Sequence, residues 1–206
     1  MKPMLENQNI SFLSGTKFPY EDASGVREFE MTTMQLADGV IPIVGEINAA
    51  RAIETISSLR YLAGQHREAK ILLYSNGGEI SAGLAIVDAI RTYPYPLSVL
   101  CVSIAASMGA IILACCPKGK RFILPHAKVM IHEPLIAGGL GGSVTTIEKT
   151  AQSMVQTKAV VNSILAECTG KSVKEIDEAT AFDNYMSAEE AIAFGLCDAV
   201  KNPYDL

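Results

Sequence analysis

The sequence predicts an α/β fold with parallel strands, and three observations carry that prediction. Short apolar runs alternate with helical patterns between residues 39 and 116, in the order strand, helix, strand, helix that βαβ units produce. Hydrophobic residues make up 49% of the chain, yet only 6% is aromatic and there is no Trp, which suits Ala, Ile, Leu and Val where helices lie close on a sheet. Residues 92–117 carry no charge and change midway from Val/Ile/Leu-rich to Ala/Gly/Ile-rich, as a buried strand feeding a buried helix would. At 206 residues the chain is long enough for one domain with a real core.

In chain order, residues 1–35 are polar and aperiodic and read as a loosely ordered arm, with a docking or gating role as the alternative. Residues 39–44 (GVIPIV) form the first core strand, which Pro42 demotes to an edge or irregular one. Asn48 caps a helix to about residue 63, with Ile53, Ile56, Leu59 and Leu62 near helical spacing. Residues 70–75 (KILLYS) are a buried strand ending in Asn76-Gly77-Gly78, and a helix follows over residues 80–92. Next come a strand over residues 97–104 and a helix over 105–116, stopped by Pro117 and Gly119. By length alone residues 92–117 could cross a bilayer. The mid-stretch change of character, with Ser98, Ser103 and Ser107 inside it, argues against that, and no membrane partner is expected.

Two short strands flank Pro125-His126, at residues 121–124 and 128–131, and a glycine-rich connection follows at 135–142. The longest helical pattern covers residues 147–168, with Ala151, Met154, Val155, Val161, Leu165 and Cys168 on one stripe and Gly170 as its stop. Ser172…Glu175 and Ser187…Glu190 are capping boxes that open two further helices, separated by a loop at Phe182-Asp183-Asn184. Gly195 ends the last helix, and a final strand falls within 196–200.

The net charge of −5 gives no footprint for nucleic acid, and the one basic cluster, Lys118-Gly119-Lys120-Arg121, is too short to supply one. Five cysteines without small-scaffold spacing argue against a disulfide framework, and no His/Cys spacing suits zinc, so neither metal nor cofactor is expected. Free thiols inside apolar segments fit a reducing cytoplasm, and the N-terminal residues show no apolar run of the kind a secretory signal needs.

For chemistry, Ser107 stands at a strand-to-helix junction. The amide of Met108 there points from a helix N-terminus and can stabilise an oxyanion. The glycine turn at Gly77 and Gly78 can bring a second amide, that of Gly78, beside it. A serine needs a base to take its proton. Of three histidines, His66 sits in a charged surface segment and His126 follows a proline, whereas His132 ends an apolar strand, where a base would be held rigidly. Each feature has a plainer reading: a helix cap for Ser107, a strand-end histidine for His132, a structural or phosphate-binding turn for Gly77-Gly78. No Walker A and no G-x-G-x-x-G is present.

Taken together, Gly77-Gly78, Ala105-Ala106-Ser107-Met108-Gly109-Ala110, Lys118-Gly119-Lys120-Arg121-Phe122, Met130-Ile131-His132-Glu133-Pro134-Leu135 and Asp183-Asn184-Tyr185-Met186-Ser187-Ala188-Glu189-Glu190-Ala191 resemble the proteolytic subunits of Clp proteases, the ClpP family of serine endopeptidases. The match is continuous from about residue 40 to 200. The resemblance refines the fold to the ClpP/crotonase-like α/β type, repeated ββα units with a protruding handle. It implies an arm over 1–35, a head formed by 36–134 and 170–206, and a handle over 135–169. It implies Ser107 as nucleophile, His132 as base then acid, Asp183 as the group orienting His132, and the amides of Gly78 and Met108 as oxyanion donors. Asp183 is singled out by the resemblance alone. Substrate would bind as an added strand along Gly77, Leu135, Leu140, Gly141, Gly142 and Ser143. Further implications are two stacked seven-subunit rings, a tetradecamer of this chain with or without a paralogue. Unfolded polypeptides would be fed by an AAA+ ATPase such as ClpX, ClpA or ClpC, which rather than this chain uses ATP.

Three departures from the family pattern stand out. Glu79 follows the glycine pair where the family has Ser. Phe182 replaces an Arg before Asp183, together with Thr146 in place of its acidic partner on the handle. Lys70-Ile71-Leu72 replaces a strand with alternating tyrosines. These point to an altered ring contact and to altered ATPase docking, as in a divergent second paralogue. A catalytically silent subunit of a mixed barrel and a crotonase-like acyl-CoA enzyme are the competing functional readings.

Overall fold

The computed structural model describes residues 17–22, 25–136 and 141–204. Within the stretch to residue 35 that the sequence reads as a loosely ordered arm, the described residues form β1 (Lys17–Asp22), β2 (Gly25–Glu30) and the start of α1 (Met31–Ala37). The two strands pair antiparallel, Lys17 opposite Glu30 and Asp22 opposite Gly25. Backbone pairing supplies order here that no side-chain period announces.

The main sheet begins with β3 (Val40–Val44), which lies at its edge beside β4, as Pro42 requires. Asn48 caps α2 (Ala49–Gly64), its side chain accepting from the Arg51 amide at 3.0 Å. The buried stripe of α2 is Ala52, Thr55, Leu59 and Leu62. Ile53, expected inside, is 65% exposed. The apolar residues of α2 set its period, but the small side chains Ala52 and Thr55 set the face that approaches the sheet.

β4 (Ala69–Ser75), α3 (Ile80–Arg91), β5 (Leu97–Ala106) and α4 (Met108–Cys115) follow as the sequence predicts, except that β5 runs two residues further and α4 starts three residues later. All eight residues of α4 are buried, which explains why the segment carries no charge and no polar face. Among the described residues no helix is long and apolar enough to cross a membrane, because the uncharged stretch is divided between β5 and α4.

The remaining elements are β6 (Arg121–Ile123), β7 (Lys128–Ile131), α5 (Val144–Thr169), α6 (Val173–Thr180), β8 (Asn184–Met186), α7 (Ala188–Phe194) and β9 (Ala199–Val200). The sheet order is β3-β4-β5-β6-β9, with β7 on the far half of β5 and β8 on β7. Every neighbour pair in it is parallel except β7–β8. β5 therefore forks: Val99 to Cys101 pair with β6, and Ile104 to Ala106 pair with β7. Both capping boxes are formed, at Ser172/Glu175 and Ser187/Glu190, and Gly170 and Gly195 end α5 and α7 with φ of 79° and 96°.

α5, at about 1.5 Å per residue, is about 39 Å long. Only Val161, Asn162, Leu165 and Cys168, in its second half, are buried. Ala151 and Val155 of the expected stripe stay exposed, because among the described residues nothing covers the first half of α5. Arg121, read from the sequence as part of a basic cluster, is buried. Its guanidinium pairs with Asp198 at 2.5 Å and donates to the carbonyls of Ala114, Cys168 and Gly195, at the C-terminal ends of α4, α5 and α7. One side chain thus satisfies carbonyls that three helices leave without partners.

Candidate active site

Register alone brings the candidate residues to one end of the sheet. β5 and β7 run parallel with Ala106 opposite Met130, so Ser107 leaves β5 beside the point where His132 leaves β7. β8 runs the other way with Asn184 opposite Ile131, so Asp183 enters at the same level. Gly77 and Gly78 leave β4, the other neighbour of β5, in the same direction. The carboxyl ends of parallel strands are where open α/β sheets place their ligands.

Ser107 adopts φ 54° and ψ −121°, a left-handed conformation that costs energy for a residue with a side chain. The turn is held by its surroundings. The Ser107 amide donates to the Met130 carbonyl at 2.8 Å, and its carbonyl accepts from Ala110 and Ile111 in α4. The backbone of Gly77, φ 97°, presses against it: a Cβ there would lie 2.6 Å from Ser107 Cβ and 3.1 Å from Oγ. Ser75, missed in the sequence reading, fixes this glycine turn. Its hydroxyl donates to the Gly45 carbonyl at 2.6 Å and accepts from the Gly77 amide at 3.0 Å. Its place just before Asn-Gly-Gly is the only signal the sequence offers for it.

The amides flanking Gly78 are used: that of Gly77 by Ser75, that of Glu79 by the Ile47 carbonyl at 2.7 Å. The Gly78 amide has no acceptor among the described hydrogen bonds. Gly78 itself, φ 151°, pairs with Ile47 so closely that a Cβ would fall 2.1 Å from the Ile47 oxygen. The Met108 amide opens α4, where helical geometry supplies no acceptor. Glu79 is exposed, which leaves its carboxylate in solvent.

His132 Nδ1 lies 3.3 Å from Asp183 Oδ1. The imidazole is largely covered while Asp183 is 59% exposed, and the pair is out of line for a hydrogen bond, so the buried Nδ1 has no partner. Lys158, a second residue that nothing in the sequence singles out, braces this side from α5. It bridges Glu133 at 2.9 Å and Asp177 at 2.7 Å, and those hydrogen bonds, that of Asp177 foremost, raise its pKa. The Glu133 amide donates to the Thr180 carbonyl at 2.8 Å, and Asn184 Nδ2 to that of Ala179 at 3.1 Å. These bonds tie the segment after β7 to the loop carrying Asp183.

Leu135, exposed, joins His132, Asp183 and Phe182 around a pocket of about 460 Å3. Gly141, Gly142 and Ser143 are exposed ahead of α5 and form no strand; Ser143 is instead the N-cap, accepting from the Thr146 amide at 3.3 Å. Leu140 lies outside the described residues. His66 and His126 are exposed, and His66 meets the Tyr95 hydroxyl. Against this geometry, the family model described as Clp protease matches residues 23–203.

Proposed function

The chain belongs to the Clp protease family, and on that premise we propose that it is a serine endopeptidase whose triad is Ser107, His132 and Asp183. The observation that carries this reading is the strained Ser107 turn, held against Gly77 at the strand end next to the one that delivers His132. Strain kept at one serine by neighbouring backbone is what a nucleophile on a sharp strand-to-helix turn requires. His132 takes the Ser107 proton as Oγ attacks the scissile carbonyl, and Asp183 stabilises the imidazolium that forms. The amides of Gly78 and Met108 receive the oxyanion. His132 then protonates the leaving amine, and water repeats the cycle to release the acyl group. Substrate lies as an extended strand from Gly77 past Leu135 toward residues 140–143.

The proposal extends to assembly. The uncovered first half of α5, with Val144 at 74% and Val155 at 68% exposed, supports a handle that packs against other subunits. Two stacked seven-subunit rings of this chain, with or without a paralogue, would enclose the serines in a cytoplasmic chamber. A ClpX-, ClpA- or ClpC-type ATPase would feed it unfolded polypeptide, with Lys70-Ile71-Leu72 weakening that docking. A second reading, a silent subunit in a mixed barrel, draws support from the unaligned His132–Asp183 pair. A fluorophosphonate probe separates the two. Labelling of Ser107, lost in Ser107→Ala together with hydrolysis of a short acyl-dipeptide reporter, supports the peptidase. An assembled protein that stays unlabelled supports the silent subunit, and turnover of an acyl-CoA in place of the reporter would overturn both.

A further inference from the structure

At the far end of α4 from Ser107, the proposed mechanism leaves two thiols unused. Cys115 closes α4 and Cys168 lies in the last turn of α5, with their sulfurs 3.5 Å apart. Both line a pocket of about 450 Å3 that opens to solvent, with Arg91, Glu167 and Lys118 at its wall. Arg91 from α3 reaches Cys168 Sγ at 3.7 Å and the Glu167 carboxylate at 3.0 Å. The site is thus a thiol pair in contact, a guanidinium directed at one sulfur, and an opening large enough for a small oxidant.

The other cysteines differ in kind. Cys101 and Cys197 are buried away from this pocket, and burial pushes both thiols up to about 12. Cys116 lines the pocket wall, but its thiol points back to the Ile112 carbonyl at 3.4 Å, and burial raises its pKa as well. The contact with Cys115 first, and then Arg91, hold the Cys168 thiol below its ordinary value, against its burial and the Glu167 carboxylate. The same contact, together with burial, pushes the Cys115 thiol up.

We propose that Cys168 is a peroxide-reactive thiol and Cys115 its resolving partner, so that oxidation joins α4 to α5 through a Cys115–Cys168 disulfide. The Cys168 thiolate attacks one oxygen of hydrogen peroxide. The O–O bond breaks, the departing hydroxide takes a proton to become water, and the sulfur becomes a sulfenic acid. Cys115 then gives up its proton and attacks that sulfur; the S–S bond forms, and the sulfenic hydroxyl leaves with the proton as a second water. Two thiols have lost two protons and two electrons, and the peroxide has been reduced to two waters. Arg91 stabilises the attacking thiolate. The product links the helix that begins at Ser107 to the helix whose first half stands free of the head, closing a loop that no other covalent bond closes among the described residues.

The test uses the full chain in its native assembly, exposed to hydrogen peroxide, alkylated, and digested without reductant. The expected result is a Cys115–Cys168 linked peptide and loss of two hydrogens per chain, formed at least about tenfold faster than oxidation at Cys101 or Cys197. Cys115→Ser should form no disulfide and instead leave a sulfenic acid at Cys168 that dimedone traps. Cys168→Ser should lose that trapping, and Arg91→Met should slow the first step several-fold. If Cys168→Ser fails to fold, the linked peptide from the unmodified chain still decides. Recovery of all five thiols as free and alkylated would overturn the proposal, as would a Cys116–Cys168 link or equal oxidation of Cys168→Ser.

Discussion

The two sides of the candidate triad are built differently. Ser107 stands in a turn that backbone contacts hold on every side: Gly77 against its side chain, the Met130 carbonyl on its amide, Gly109 close enough to Ser75 that a Cβ would lie 3.1 Å from the Ser75 oxygen. Asp183 stands on a loop beside Phe182, which is 86% exposed, and reaches His132 without a hydrogen bond. One side is fixed by close-packed main chain, where half an ångström matters. The other is held by side-chain ion pairs at the surface, whose individual contributions are small. Contacts within this one chain hold the Ser107 turn, whereas His132 and Asp183 lie close without a hydrogen bond between them.

Breaking the weaker side should have the largest effect. Asp183→Asn is expected to lower turnover of the reporter by about 10³–10⁴-fold with Ser107 labelling also slowed, because the imidazolium loses its charge partner. Turnover reduced less than tenfold would mean that Asp183 does not orient His132. A control that touches neither side is Asp198→Asn, which leaves the buried Arg121 unpaired and should cost about 3–5 kcal/mol of stability by denaturant unfolding. Burial pushes the Asp198 carboxyl up, but hydrogen bonds from Arg121 and the Gly119 amide more than offset this and hold it below its ordinary 3.8. A depressed folded value stabilises above the unfolded value and is lost as pH falls through the folded one. The difference between the two proteins should therefore be full near pH 7 and shrink below about pH 4.

The fixed side is tested by Gly77→Ala. Its added Cβ must displace Ser107, so activity should fall by about 10²-fold while the circular dichroism spectrum is retained. Unchanged activity would show that the turn is less rigid than its contacts imply. The smallest effect is expected at Lys158→Met, which removes the brace between Glu133 and Asp177. A loss of roughly three- to tenfold is expected, largely in kcat, from a more mobile Asp183 loop.

The strand–helix alternation was legible because each period is local: β3, β4, β5 and their helices fall within a few residues of their expected bounds. The hairpin of β1 and β2 was not, since cross-strand backbone pairing leaves no helical or alternating signature in so polar a segment. Ser107, Met108 and Gly78 could be reached from the residues themselves, as helix N-termini and glycine turns follow from local geometry. Asp183 could not, because what makes it special is the antiparallel return of β8 against β7, a pairing between residues more than fifty positions apart. The Cys115–Cys168 contact and the Arg121 hub were invisible for the same reason.

The sequence by itself determined the class of fold, the uncharged strand-and-helix pair at the centre, the caps that start and stop the helices, and Ser107 as the candidate nucleophile at a strand-to-helix junction. Those depend on period, propensity and the exclusion of charge from a core, all of which act over a few residues. Only the tertiary structure decided that β5 forks between β6 and β7 and so aligns Ser107 with His132, that Ala52 and Thr55 rather than Ile53 face the sheet, and that the first half of α5 stands uncovered. Those are matters of which surfaces meet. A contact between distant segments is set by the shape and register of both partners, and neither is written in one stretch of chain alone.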